Sequence, residues 1–227
     1  KLNSVSNTSL PGIPDSTIIL KFYTYKGDDW LCTRHGLFKR TNGRGDYVRY
    51  DLASLPGSNL ISNQIRNAIG SEKHGLWLLT DNGLFLYNYK TDNFERHGYD
   101  KKSGDVFATQ DINSFYEDST GIAWIGTWQG GLSRYDVEHR KIKSYTTTDG
   151  LPSMSIQAIL ADEKNNALWL STFDGLSRFN IKTGQFNNFS LADGIQGQLF
   201  ADGASLKTSG GLFIFGGSNG ITVFNPD

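Results

Sequence analysis

The 227-residue sequence predicts an all-β fold, a β-propeller built of five four-stranded blade repeats, on three observations. One motif returns five times at a spacing of 44 to 47 residues. Each copy is flanked by short apolar runs set off by turn residues, so it reads as four strands rather than as a helix. Composition agrees: 14 Phe, 10 Tyr and 5 Trp suit strands, 26 Gly suit tight turns, and no long helical period interrupts them. A repeat of this length is one supersecondary unit that buries its apolar face only against its neighbours.

The motif reads Trp30-Leu31-Cys32-Thr33-Arg34-His35-Gly36-Leu37, then Trp77-Leu78-Leu79-Thr80-Asp81-Asn82-Gly83-Leu84. It returns as Trp124-Ile125-Gly126-Thr127-Trp128-Gln129-Gly130-Gly131-Leu132 and Trp169-Leu170-Ser171-Thr172-Phe173-Asp174-Gly175-Leu176, and a last copy begins at Phe213. Upstream of it, Ile65–Ile69, Ile112–Tyr116 and Ile156–Leu160 roughly alternate apolar and polar residues, as a half-buried first strand does. The Trp is expected to open strand two. Asn and Gly, which tolerate positive φ, close the hairpin into strand three. That strand reaches an aromatic at Tyr87, Tyr135, Phe179 or Phe224, and strand four follows at Tyr47–Tyr50, Phe94–His97, Ile142–Tyr145 and Phe186–Phe189. Four antiparallel strands at this period describe a propeller blade. The blades are expected at about 14–54, 60–100, 107–147, 152–191 and 198–227. Residues 1–9 resemble a fourth strand without its blade and are available to close the last one. The chain is then either a closed five-bladed ring or an arc of a longer array.

Net charge is −1, with 22 basic and 23 acidic residues, which leaves no electrostatic footprint for nucleic acid and no basic face for a membrane surface. No apolar run approaches membrane-spanning length. The single cysteine, Cys32, excludes an internal disulfide and lies in a strand, where a buried packing thiol is expected. His35, His74, His97 and His139 fall at different repeat positions, with no metal spacing and no nucleophile partner. The acidic pairs Glu117-Asp118 and Asp162-Glu163 sit in turns, and turn chemistry accounts for them. No catalytic residue, metal site or cofactor motif is read from the sequence.

The repeat resembles the two-component regulator propeller repeat. Ile112, Phe115, Asp118, Gly121, Trp124-Ile125-Gly126-Thr127, Gly131-Leu132 and Arg134-Tyr135-Asp136 carry the likeness, with Gly150-Leu151-Pro152 as the linker to the next blade. The segment from Phe200 to Pro226 is similar to the family's terminal blade. The resemblance implies the periplasmic sensor region of a bacterial receptor, a sensor histidine kinase or hybrid regulator, with a kinase or cyclase further along the full-length protein. It also implies a ring that usually closes with seven blades, and a receptor able to signal as a homodimer.

In a propeller the turn between strands two and three shares a face with the linker into the next blade, and ligands bind there. The candidate ligand-binding residues are therefore Arg34, His35, Asp81, Asn82, Trp128, Gln129, Phe173 and Asp174 in the turns, with Arg66, Asn113 and Gln157 in the first strands. Trp128 stands out because a tight turn has no packing need for an indole. Beside polar neighbours it suits a sugar ring, stacked on one face and hydrogen-bonded at the rim. Phe173 is a second case of the same kind. The bland alternative is that both side chains fold onto the neighbouring blade. Three functions are thus in play: a sensor of a small molecule or glycan, a protein-interaction scaffold, and a propeller lyase or glycoside hydrolase.

Overall fold

The computed structural model describes residues 10–52, 64–100 and 105–227. The chain divides into two compact units, Lys1–Glu95 and Arg96–Asp227.

The first unit opens with an antiparallel sheet of β1 (Ile19–Tyr25), β2 (Asp28–Thr33), β3 (Gly36–Arg40) and β4 (Val48–Tyr50), in that order. A second sheet follows with β5 (Ile65–Gly70), β6 (Leu76–Thr80), β7 (Gly83–Asn88) and β8 (Asn93–His97). Sequential order with short hairpins is what the turn residues dictate. Trp30, Leu37, Ile65, Leu76, Leu78 and Tyr87 form one buried cluster in this unit. Cys32 belongs to it and is fully buried, which pushes its thiol pKa up to about 12.

The second unit begins with a small ladder of β9 (Tyr99–Asp100) and β10 (Asp105–Val106). Two four-stranded sheets follow: β11 (Ile112–Glu117), β12 (Ile122–Thr127), β13 (Leu132–Asp136) and β14 (Lys141–Tyr145), then β15 (Ile156–Asp162), β16 (Ala167–Thr172), β17 (Leu176–Asn180) and β18 (Phe186–Phe189). The last sheet has three strands among the described residues, β19 (Phe200–Lys207), β20 (Phe213–Gly217) and β21 (Gly220–Phe224). The closing strand read at residues 1–9 lies outside the described residues. Trp124, Leu132, Ile156, Leu168, Leu170 and Phe179 pack between one pair of sheets, and Trp169, Leu176, Phe200, Phe213 and Phe215 between the next. The fold is the all-β blade repeat of a propeller.

Two details differ from the sequence reading. The Trp does not open strand two: β12 starts at Ile122 and β16 at Ala167, because those residues still find partners on strand three, Asp136 and Asn180. The first strands do not alternate cleanly either. Pairing shifts between Ile19 and Lys21, Ile65 and Asn67, Ile112 and Ser114, and Ile156 and Ala158. Each shift inserts one extra residue, Leu20, Arg66, Asn113 or Gln157, into a β-bulge. A bulge bends its strand and re-aims the extra side chain.

Candidate functional site

The turn between strands two and three is built the same way in successive blades. A Thr ends strand two, and its hydroxyl donates to the carbonyl of the turn glycine: Thr33 to Gly36 at 2.7 Å, Thr80 to Gly83 at 2.7 Å, Thr127 to Gly131 at 3.1 Å and Thr172 to Gly175 at 2.9 Å. The same oxygen accepts from the amide two residues on, at His35 (3.1 Å), Asn82 (3.0 Å) and Asp174 (3.0 Å). The turn side chains are exposed at Arg34, His35, Phe173 and Asp174 and half-buried at Asp81 and Asn82. Glycine is required at 175, where φ is +91° and a Cβ would collide with the Phe189 carbonyl.

The third turn carries one extra residue, and this changes its bonding. Gln129 takes φ +61° and donates its amide to Ser155 Oγ at 3.2 Å instead of to the Thr. Trp128 donates its amide to the Asp111 carbonyl at 3.0 Å, and Gly131 donates to Met154 at 2.8 Å. The turn is therefore stapled to the linkers on both sides. The fourth turn is stapled in the same manner, with Gly175 donating to the Gln198 carbonyl at 2.9 Å and the Gln198 amide donating to Asp174 Oδ1 at 3.0 Å.

These staples bring Trp128 and Phe173 together edge to face, with ring centroids 5.0 Å apart at 90°. Each stays more than a third exposed, at 38% and 36%. In such a pair one face of one ring is covered, and the remaining faces stay open to stacking. Below the turns sit the bulge residues. Asn113 donates to the Ile156 carbonyl at 3.2 Å. Gln157 is 1% exposed, and its Nε2 meets no hydrogen-bond partner among the described residues. The second unit thus gathers Trp128 with Phe173, Asp174 with Gln198, and Asn113 with the backbone beside Gln157.

The remaining candidates belong to the first unit. Arg34 and His35 are exposed at the first turn, where Arg49 donates to the His35 carbonyl at 2.7 Å. Asp81 accepts from Asn82 Nδ2 at 2.8 Å in the second turn, and Arg66 is a half-buried bulge residue. Sequence reasoning missed Ser155. Its signal was the longer third turn, which leaves an amide that the Thr does not take. At the other end of the blades Asp118 accepts from the amides of Thr120 (2.9 Å) and Ile122 (3.2 Å), and Asp162 from that of Asn165 (3.2 Å), as their turn reading requires. Among the described residues no three His, Cys, Asp or Glu side chains gather as metal ligands.

Successive four-stranded sheets, Trp-centred interfaces and a stapled turn face place the chain among repeat propellers. Residues 107–129 match the family model described as the two component regulator propeller. Histidine kinase P4 of Formosa agariphila is 28% identical over 214 residues, covering 91% of this chain and 15% of that protein. The extracellular domain of BT3049 from B. thetaiotaomicron, described as a hybrid two component system, superposes with a TM-score of 0.77 at 27% identity over 93% of this chain and 28% of the other. The extracellular domain of BT4673 from the same organism superposes with a TM-score of 0.76 at 23% identity, over 97% of this chain and 32% of the other, and shares the fold. The chain is a propeller segment related to the extracellular domains of two-component sensors and to a histidine kinase. It spans well under half the length of these relatives. Among the described residues no helix is long and apolar enough to cross a membrane.

Proposed function

We propose that this segment is the periplasmic ligand-sensing part of a bacterial two-component receptor and that its turn face binds a small ligand, an oligosaccharide. The exposed Trp128–Phe173 pair carries this reading. Two rings held at right angles by backbone staples cost little entropy to present, and a pyranose stacks on the open faces. Gln129, Asp174 and Gln198 then offer amide and carboxylate partners at the rim, where hydroxyls both donate and accept. Asn113 and Gln157 supply further amides lower on the first strands. Binding transmits a signal only if affinity differs between two arrangements of the receptor. That element, for which receptor dimer geometry is our choice, belongs to the whole receptor.

The test is a thermal-shift screen against an oligosaccharide panel, repeated with Trp128→Ala. A binder raises the melting temperature in proportion to its occupancy of the folded state. The expected result is a saturable shift that weakens about tenfold or more in apparent Kd when the indole is removed. A shift indifferent to Trp128→Ala moves the site off the turn face, and no shift with any sugar removes the glycan reading.

A further inference from the structure

The last sheet departs from the repeat at its outer edge. In the fourth blade β18 covers strand three, and Ser177 and Phe179 are fully buried. Counting from the turn glycines Gly175 and Gly220, Thr222 stands where Ser177 does and Phe224 where Phe179 does. Among the described residues β21 has no fourth strand beside it, and both side chains are half-buried.

The role of β18 shows what this edge lacks. Phe186 lies opposite Phe179, with its ring 4.7 Å from that of Phe179 and 6.2 Å from that of Tyr145. Asn188 lies opposite Ser177, accepts from its hydroxyl at 2.7 Å and donates to the Gly150 carbonyl at 2.9 Å. Gly150 ends a capped 3-10 turn, and a Cβ there would lie 3.7 Å from Phe186. Gly194 ends the same kind of turn one blade on, and a Cβ there would meet nothing within 4 Å. A groove of about 310 Å³ runs along this edge, lined by Trp169, Phe189, Gly194, Ile195, Thr222 and Phe224. It continues the apolar interface between the fourth and fifth blades, to which Trp169 and Ile195 belong.

We propose that the open edge of β21 docks one extended strand of a partner protein. That strand runs antiparallel to β21, with a bulky apolar residue opposite Phe224 and an asparagine or glutamine two residues later. The apolar side chain fills the groove against Trp169, Phe189 and Phe224, as Phe186 fills its own place one blade earlier. The amide accepts from the Thr222 hydroxyl, whose oxygen already takes the Gln196 amide at 3.0 Å, and donates to the Gly194 carbonyl. Main-chain bonds add to this, as in other cases of strand addition. Thr172 donates its amide inward to the Gly175 carbonyl at 3.0 Å, so backbone alternation turns the amides of Leu176 and Arg178 toward β18. Their counterparts, Ile221 and Val223, turn theirs to the open edge. Residues 220–225 carry no charge and no proline, the devices that keep an edge strand unpaired. A second copy of β21 does not suit the groove. Two-fold pairing over the full length of the strand brings Gly220 opposite Phe224 and leaves the groove empty.

Heteronuclear NMR titration of the 227-residue chain with a synthetic peptide of the β18 sequence, residues 184–190, tests the proposal. Saturable shifts are expected at amides 194–196 and 220–225. Phe186→Ala in the peptide is expected to weaken binding about tenfold or more, the loss of one buried ring. Val223→Pro in the chain removes an outward amide and is expected to abolish the shifts with the rest of the spectrum intact. Trp128→Ala is expected to leave them unchanged, so failure of the turn-face reading does not touch this one. The proposal is overturned if the peptide moves none of these amides, or if its Phe186→Ala form binds equally well. Shifts that appear only once residues 1–9 are deleted would overturn it by giving the edge to that segment. Shifts that fade as chain concentration rises would overturn it in favour of a second copy.

Discussion

The aromatic wedge between the first two blades and the one between the third and fourth use the same four repeat positions. In the first unit they hold Trp30, Tyr50, Tyr87 and Phe94; in the second, Trp124, Tyr145, Phe179 and Phe186. Their geometry is close: Trp30 to Tyr87 is 4.8 Å at 70°, and Trp124 to Phe179 is 5.5 Å at 60°. One hydroxyl separates the strand-three members, and much follows from it. A buried phenol needs a partner. Tyr87 finds two, accepting from Lys39 Nζ at 2.8 Å and donating to Asp92, which also accepts from Tyr50 at 2.7 Å. Lys39 in turn lies 3.3 Å from Asp28, 5.3 Å from the Trp30 ring and 4.9 Å from the Tyr87 ring. The second wedge has Phe179 at that position, and its cation lies elsewhere: Lys143 Nζ sits 4.7 Å above the Tyr145 ring. The repeat therefore dictates where rings go, while single polar atoms decide which charges gather around them.

The comparison breaks first at its indoles. Trp124→Ala removes a side chain that is 1% exposed and should cost about 3–5 kcal/mol. Trp30→Ala should cost about 0.5–1 kcal/mol more, because it also strips a ring face from beneath Lys39. Urea midpoints of the two variants measure the difference, and equal losses would mean that the ammonium gains nothing from the ring. The next effect in size is Lys39→Met. The Lys39 and Asp28 side chains are only 12% and 8% exposed, so removing the cation strands a carboxylate. The expected loss is about 2–4 kcal/mol. Cys32 reads this out in the right place. Its thiol is buried in the same cluster as Trp30 and Tyr87, and burial holds its pKa at about 12, so it reacts when the first unit opens. Thiol labelling should accelerate in Lys39→Met, and protection as in the parent chain would show that the knot does not hold the unit.

Much of this frame was legible in the residues. The Trp positions, the hairpin glycines and the aromatic of strand three mark the blades because each answers to local physics: a core ring, a positive φ, a cross-strand pair. Trp128 was legible as an anomaly, an indole in a tight turn. Its meeting with Phe173 was not, because the two turns lie in different blades and only the staples to Asp111, Met154 and Gln198 aim them at each other. The bulges were visible in hindsight. Ile112 to Phe115 and Ile156 to Ile159 are spaced by three, not two, which is what one extra residue does to an alternating strand. The Lys39–Asp92 knot left no sequence trace, since nothing local pairs residues so far apart.

The smallest expected effect isolates the hydroxyl itself. Asp92 has its carboxyl held below the usual carboxylate range, first by the hydrogen bond from Tyr87 and then, against an opposing push from burial, by the bond from Tyr50 and the charge of Lys39. Its lowered folded pKa means that its contribution to stability is fully present above the unfolded value, near pH 4, and is lost as pH falls through the folded value. Tyr87→Phe removes the first of these causes. At neutral pH it should cost about 1 kcal/mol, the net worth of one hydrogen bond, while Lys39 keeps Asp28 and Asp92 keeps Tyr50. Below pH 4 the cost should shrink, because a protonated Asp92 no longer rewards the donor. Urea unfolding of the two chains between neutral pH and about pH 3 tests this convergence. Curves that stay parallel would mean that the Tyr87 hydroxyl acts through packing rather than through the Asp92 charge, and the first wedge would then differ from the second in shape alone.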